Sequence, residues 1–185
     1  MVRFIKIRRN LLLGYLAERA VGEHLDELRP GGFRIFHDVP AKGARKSFNL
    51  DHVVVGATGV FLIETKARRK GVVRPGFKDH EVISDGQKLV WPWGEDVKSI
   101  EQAKNEAVWL AEWLKTMTGL TINVRPILAL PGWFVDRRGV GGVAVLNQKN
   151  LVGYISKPLQ SAALTAESVD LISRQLDSRC RDVED

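Results

Sequence analysis

Apolar and polar positions follow two different periods along the chain, and each change of period marks a predicted element. Apolar residues recur at helical spacing over about 10–28, 99–118 and 165–176. Short runs rich in β-branched residues, bounded by glycine or proline, predict strands, and these lie at 33–39, 48–55, 60–66, 72–73, 81–84, 87–91, 124–130 and 143–146. The order of these elements predicts an α/β fold.

Two of the predicted strands, 48–55 and 60–66, are the most informative part of the sequence. The turn signal Gly56-Ala57-Thr58-Gly59 separates them and predicts an antiparallel hairpin. If Gly56 pairs with Gly59, Asp51 falls directly opposite Glu64, and directly opposed side chains have β-carbons about 4.5–5.5 Å apart. The hairpin would therefore bring two carboxylates face to face.

Alternation along the strand places Lys66 on the same face as Glu64, which leaves two interpretations of the three charges. The acids could flank Lys66 as a solvated salt bridge, or they could bind a divalent cation that turns their repulsion into attraction. Glu64 interrupts an apolar run, and Asp51 closely precedes three valines. Because unpaired charge is costly on a buried strand, these positions favour a metal site.

The same hairpin resembles the core of the nuclease-related (NERD) domain, a family of the PD-(D/E)XK nuclease superfamily. The resemblance rests on Asp51-His52-Val53-Val54-Val55-Gly56 and Gly59-Val60-Phe61-Leu62-Ile63-Glu64-Thr65-Lys66, and it extends over about 14–131. Leu50 stands where the superfamily's name has proline, which is not a metal ligand. The resemblance implies a restriction-endonuclease-like core, with a mixed central β-sheet flanked by helices. It also implies a Mg²⁺- or Mn²⁺-dependent nuclease that hydrolyses phosphodiester bonds, with DNA as the expected substrate.

The resemblance also implies roles for individual residues. Asp51 and Glu64 would bind the metal ion, with the Thr65 carbonyl as a further ligand. Lys66 would orient the attacking water or stabilise the charged transition state. Such oxygen ligands suit Mg²⁺ or Mn²⁺ rather than zinc.

Two helical residues are further candidates for the same site. Glu18 lies within the apolar arc of the first predicted helix, where an acid needs a partner, and Ala17-Glu18-Arg19 occupies the place of the family's Gly-Glu-Arg. It would be another metal-site carboxylate or, alternatively, would pair with Arg19, Arg34 or Lys66. Gln102 matches a glutamine that follows the Glu-x-Lys strand in the family. It could instead close a capping box with Ser99.

Length and charge fit a compact nucleic-acid-binding protein. The 185 residues suffice for one domain with a proper core, and we expect a single nuclease-like domain over 1–185 with a strand and helix extension at 140–180. The formal net charge of +6 favours an anionic partner. Basic residues beside the site hairpin predict phosphate contacts, and these are Lys42, Arg45, Lys46, Arg68, Arg69 and Lys70.

The remaining sequence features bear on location and on the alternatives. The single cysteine, Cys180, excludes an internal disulfide and a cysteine metal cluster, and it fits a reducing compartment. The apolar run at 11–16 is shorter than the roughly 18–20 residues that a membrane span requires. We therefore expect a cytoplasmic protein. The alternatives to a nuclease are a catalytically inactive nucleic-acid-binding module and a structural domain whose acids only pair with Lys66.

Overall fold

The structure is a computed structural model that describes residues 2–42, 47–158 and 163–181, with side chains from residue 8 onward. The described residues form four α-helices, namely α1 (Val2–Leu25), α2 (Lys98–Thr118), α3 (Leu151–Ile155) and α4 (Ala166–Arg181). They also form nine strands, namely β1 (Arg34–Lys42), β2 (Ser47–Gly56), β3 (Gly59–Thr65), β4 (Glu81–Ser84), β5 (Leu89–Trp91), β6 (Gly94–Asp96), β7 (Val124–Ala129), β8 (Phe134–Arg137) and β9 (Ala144–Leu146). Two 3₁₀ turns lie at Asp26–Gly31 and Gln148–Asn150.

Five strands form a mixed central sheet in the order β1-β2-β3-β7-β9. β1, β2 and β3 are antiparallel neighbours, whereas β7 and β9 continue the sheet in parallel with β3. The other four strands form a smaller sheet in the order β6-β5-β4-β8. With helices on both faces of the central sheet, the structure confirms the predicted α/β fold.

Side-chain alternation along β3 divides the core between the two faces of the central sheet. Val60 and Leu62 pack with residues of α2 and α4, and Phe61 and Ile63 pack with α1 and α3. All seven residues of β3 are buried because the strand has neighbours on both edges and helices on both faces. Any charged side chain at the end of β3 is therefore held at the edge of the core.

The site hairpin has the predicted register. β2 and β3 pair from Gly56 and Gly59 at the turn to His52 and Ile63. Gly59 has a φ of +127°, a conformation that residues with a β-carbon rarely adopt. The regular pairing ends just before Asp51 and Glu64, so both acids lie at the open end of the ladder.

The first helix differs from its prediction at both ends. It begins at Val2 and ends at Leu25, where a 3₁₀ turn takes over. Val21 is fully buried as expected, but Leu11 is 69% exposed. Helical spacing predicts an apolar stripe that includes Leu11. This assignment was wrong because, of the α1 side chains described from residue 8 onward, those in the C-terminal half of the helix form its contribution to the core.

Other differences concern short segments. Residues 72–73 do not form a strand, and Val72 is 89% exposed. Pro92 lies in the turn between β5 and β6, and neither β6 nor β8 was predicted. β8 pairs in parallel with β4, a strand about 50 residues earlier, so no local turn signal marks it. In the extension at 140–180, β9 joins the central sheet beside β7, and α4 packs against β1.

Candidate active site

The candidate site lies at the C-terminal end of β3. Glu64 is 3% exposed, which contradicts the solvated salt-bridge interpretation of this acid. Its Oε1 atom lies 2.6 Å from Lys66 Nζ, so the predicted side-by-side arrangement of the two charges is present. The Lys66 N–H donates to the Ala129 carbonyl and extends the pairing of β3 with β7 to the site.

Asp51 is bound to the same strand end through its side chain. Its Oδ2 accepts a 2.7 Å hydrogen bond from the Thr65 N–H. Because the N–H and C=O of one strand residue point to the same edge, the Thr65 carbonyl also faces the β2 side. Burial, and next the charge of Glu64, raise the pKa of Asp51 to about 7, while the bond from Thr65 opposes the shift.

Helix α2 adds Gln102 to the site as the bridge between its charged groups. Gln102 Nε2 donates to Glu64 Oε1 at 2.9 Å and to Glu106 Oε1 at 2.8 Å. Gln102 Oε1 accepts from Lys66 Nζ at 2.9 Å. The amide thus uses both its donor and its acceptor to hold the neighbouring groups in place.

The capping box proposed as the alternative for Gln102 does not form. Asp96 replaces it, because its carboxylate accepts hydrogen bonds from both the N–H and the Oγ of Ser99. With Ser99 capped in this way, Gln102 points to the strand end. The structure therefore brings Gln102 to Glu64 and Lys66.

Glu106 is a member of this network that the sequence analysis missed. It is 6% exposed, and its Oε2 is buried without a hydrogen-bond partner in the described structure. Burial and the charge of Glu64 raise its pKa. Its position between Ala103 and Ala107 on the apolar side of α2 was the available signal, because an acid on a buried stripe needs a partner.

Glu18 reaches the same group of acids from α1. It is half-buried and lines a cavity of about 320 Å³ that also contains Asp38 and Asp51. Burial, then Asp38, then Glu64 raise its pKa. Asp38, which has a φ of +50°, was also missed, since nothing in the local sequence distinguishes it from an ordinary strand residue.

The arginines proposed as alternative partners of Glu18 are engaged elsewhere. Arg19 pairs with Glu23 at 2.8 Å, and Arg34 lies 3.9 Å from Asp170. These contacts remove the two arginine alternatives.

The donor atoms at the strand end fit a hard divalent cation. Glu64 Oε2 is buried without a partner in the described structure, beside a second carboxylate on Asp51 and the backbone of Thr65. These donors are all oxygens, the ligand type that Mg²⁺ and Mn²⁺ prefer. Within the described ranges, no three His, Cys, Asp or Glu side chains converge as a metal cluster. The role of Glu18 as a metal ligand therefore stays a prediction.

A comparison with family models identifies the family of the chain. The model of the nuclease-related domain (NERD) family matches residues 13–131, from α1 to just beyond β7. The chain belongs to this family. The matched segment contains each predicted catalytic residue, namely Glu18, Asp51, Glu64, Lys66 and Gln102. No curated protein and no solved structure matches the chain.

In this nuclease-related domain, the basic residues after β3 are exposed and have protein partners. Arg68 Nη2 lies 3.3 Å from Asp96, Arg69 Nη2 donates to the Arg9 carbonyl, and Lys70 lies 3.5 Å from Asp79. Both members of the Lys70–Asp79 pair are exposed, and exposed ion pairs contribute only about 0–1 kcal/mol. A phosphate could therefore displace them at little cost, and their nucleic-acid role stays a prediction.

The second predicted basic cluster is only partly visible. Lys42 is exposed at the end of β1, and its carbonyl accepts a hydrogen bond from Trp109 Nε1 at 3.0 Å. Arg45 and Lys46 lie outside the described residues. Among the helices that are described, none is long and apolar enough to cross a membrane.

Proposed function

We propose that this nuclease-related domain is a Mg²⁺- or Mn²⁺-dependent nuclease that hydrolyses phosphodiester bonds in DNA. The observation that supports this most strongly is the state of the Glu64 carboxylate. Its Oε1 is satisfied by Lys66 and Gln102, whereas its buried Oε2 has no partner in the described structure. A buried acceptor without a partner is costly, and a cation shared with Asp51 would remove the cost.

The side chains around Glu64 have separate tasks in this proposal. When bound, the cation would lower the pKa of a water molecule and neutralise charge on the phosphate. Asp51 and Glu64 would hold it. Lys66 would place its ammonium beside the scissile phosphate, where it stabilises the negative charge that develops in the transition state. Gln102 would position that ammonium through its 2.9 Å contact with Lys66.

A catalytically inactive nucleic-acid-binding module is the second candidate. The observation in its favour is that Lys66 and Gln102 already neutralise and hydrogen-bond Glu64 Oε1, so part of the network is satisfied without a metal. Burial, and next the charge of Glu64, raise the pKa values of Asp51 and Glu106, so several charged carboxylates at this buried site are costly. A bound cation would lower that cost, and this favours the nuclease.

A cleavage assay with a parallel binding assay separates the two candidates. Supercoiled and linear DNA would be incubated with the protein in Mg²⁺, in Mn²⁺ and in EDTA. We expect metal-dependent cleavage that Glu64→Gln abolishes and that Glu112→Gln, an exposed acid on α2, leaves intact. DNA binding without cleavage in either metal would favour the inactive module. Cleavage that survives EDTA or Glu64→Gln would contradict the metal-site proposal.

A further inference from the structure

An open cleft of about 400 Å³ adjoins the candidate site and is not explained by the chemistry above. Lys66 and Gln102, which both contact Glu64, form part of its lining. Trp93 and Lys98 also line it. The volume falls within the range of about 300–1,000 Å³ typical of small-ligand sites. A group bound in the cleft would lie beside Lys66 and Gln102.

Trp93 gives the cleft an aromatic wall that is rigid. Its ring stacks on Trp91, with centroids 5.6 Å apart and planes at 11°, and Trp133 packs edge-on against both rings. Trp91 and Trp133 are each only 2% exposed, whereas Trp93 is half-buried and borders the cleft. Trp91 covers part of the ring, and a β-carbon at Gly71 would lie 3.2 Å from Trp93 Cε3. Because these neighbours hold the ring in place, a ligand that contacts its exposed part orders little of the protein on binding.

The charges around the cleft favour an anionic ligand. Its two acids are already engaged, since Asp96 pairs with Arg68 at 3.3 Å and Glu95 pairs with Lys88 at 2.8 Å. Lys98 is exposed and forms no salt bridge within the described residues. The cleft thus combines an aromatic surface with a positive charge that is not engaged in a salt bridge.

We propose that this cleft binds one unpaired nucleotide next to the scissile phosphate, with its base against Trp93 and its phosphate near Lys98. This inference rests on the proposed nuclease function and narrows its substrate. In a continuous duplex the faces of each base are covered by neighbouring base pairs, so a base can reach Trp93 only from a single strand, a flap or a frayed end. The preferred substrate is therefore nucleic acid with an unpaired nucleotide at the cleavage position.

Binding to matched single-stranded and duplex DNA tests the proposal. Fluorescently labelled strands of about 12 nucleotides, within the site size of single-strand binders, would be titrated in Ca²⁺, which can fill an oxygen-ligand site and often does not support cleavage. Stacking is worth about 1–3 kcal/mol per base, so Trp93→Ala should weaken single-strand affinity by about 5- to 150-fold. Trp93→Phe should lose less, and duplex affinity should change by less than about 2-fold. Trp113→Phe, outside the cleft, is the matched control.

A cross-linking measurement on the unaltered protein covers the case in which Trp93→Ala fails to fold. Single strands carrying 5-iodouridine would be irradiated in the complex and mapped by mass spectrometry. We expect the cross-link on Trp93, within the tryptic peptide 89–98 that Lys88 and Lys98 delimit. Cross-links found only on other aromatics, such as Phe48 or Trp109, or an unchanged single-strand affinity of a folded Trp93→Ala, would overturn the proposal.

The two proposals fail in different ways. If the protein cleaves DNA but Trp93→Ala leaves its single-strand affinity unchanged, the nuclease proposal stands and the proposal of a nucleotide-binding cleft fails. If single strands bind through Trp93 and no metal supports cleavage, the proposal of a nucleotide-binding cleft stands and the nuclease proposal fails.

Discussion

At the scale of single residues, the site holds more carboxylates than positive charge. Lys66 is the cation that contacts Glu64, while burial, and next the charge of Glu64, raise the pKa values of Asp51 and Glu106. Without a metal such a site neutralises itself by binding protons. The protonation of these acids and the binding of a cation should therefore compete.

The competition predicts how Asp51→Asn changes stability. The folded-state pKa of Asp51 is about 7 against an ordinary 3.8, so between these values the folded state binds more protons than the unfolded state. Stability should then fall as pH rises through this window, by up to about 1.4 kcal/mol per pH unit. Asn removes this loss and can still accept the hydrogen bond from Thr65. In EDTA at pH 8, Asp51→Asn should therefore melt at the same or a higher temperature than the unaltered protein.

Metal addition completes that test. Mg²⁺ should raise the melting temperature of the unaltered protein at pH 8 and should leave that of Asp51→Asn nearly unchanged, because binding to the folded state stabilises it. A variant that melts clearly lower in EDTA at pH 8 would instead show that Asp51 has a structural role.

At the scale of elements, α1 meets the sheet through a close contact with two histidines. A β-carbon at Gly22 would lie 3.2 Å from His37 Cε1, so glycine permits the approach. The Nδ1 atoms of His37 and His52 are 2.8 Å apart, and His52 is 4% exposed. Burial, and next the charge of His37, lower the pKa of His52 to about 3. The packing of α1 thus depends on an uncharged His52.

This packing predicts a loss of stability in acid. Below pH 6.5 the unfolded state binds a proton at His52, whereas the folded state does not until about pH 3. Stability should therefore fall as pH drops through this window, by up to about 1.4 kcal/mol per pH unit. His52→Gln should lose less stability than the unaltered protein between pH 7.5 and 5, measured by urea unfolding. His80→Gln, at an exposed histidine, should behave like the unaltered protein. Equal losses in all three proteins would contradict the prediction.

At the scale of the whole molecule, the net charge of +6 is consistent with a phosphate-binding surface around the site. Arg69 and Lys70 follow β3 directly and are exposed. Arg137 and Arg138 are also exposed but line a separate cavity. The two pairs carry the same charge. Replacing one pair at a time therefore distinguishes phosphate contacts beside the site from a general effect of net charge.

Replacing these two pairs should change the salt dependence of DNA binding to different extents. Each duplex-phosphate contact contributes about 0.9 to the slope of log K against log salt concentration. Replacing Arg69 and Lys70 together with alanine should make the slope shallower by up to about 1.8. The Arg137→Ala, Arg138→Ala double variant should change it much less. DNA affinity would be measured in Ca²⁺ over a range of salt concentrations. Equal changes in both double variants would place the nucleic acid elsewhere on the protein.

The residues that could be predicted are those linked by local chain geometry. A four-residue turn with glycine at both ends specifies the β2–β3 register, and the register specifies which side chains meet. Asp51, Glu64 and Lys66 were found in this way. Glu106 was missed because it reaches the site from α2, far from the hairpin in sequence. Asp38 lies on β1, directly before β2 in the chain, and was missed because the sequence between these strands specifies no register. Gln102 remained ambiguous because its capping alternative depended on Ser99, which the structure shows bonded to Asp96.

Local chemistry specifies the hairpin, its register and the position of both acids at its open end, because strand alternation and turn chemistry act over a few residues. The helical side chains that contact this end depend on long-range packing. The contact between Gln102 and Glu64 joins residues 38 positions apart, and it exists because α2 packs its buried stripe against β3 and β7. The cleft at Trp93 also depends on long-range packing. Its aromatic cluster joins Trp91 on β5, Trp93 in the turn after β5 and Trp133 in the loop after β7, so no single segment predicts it.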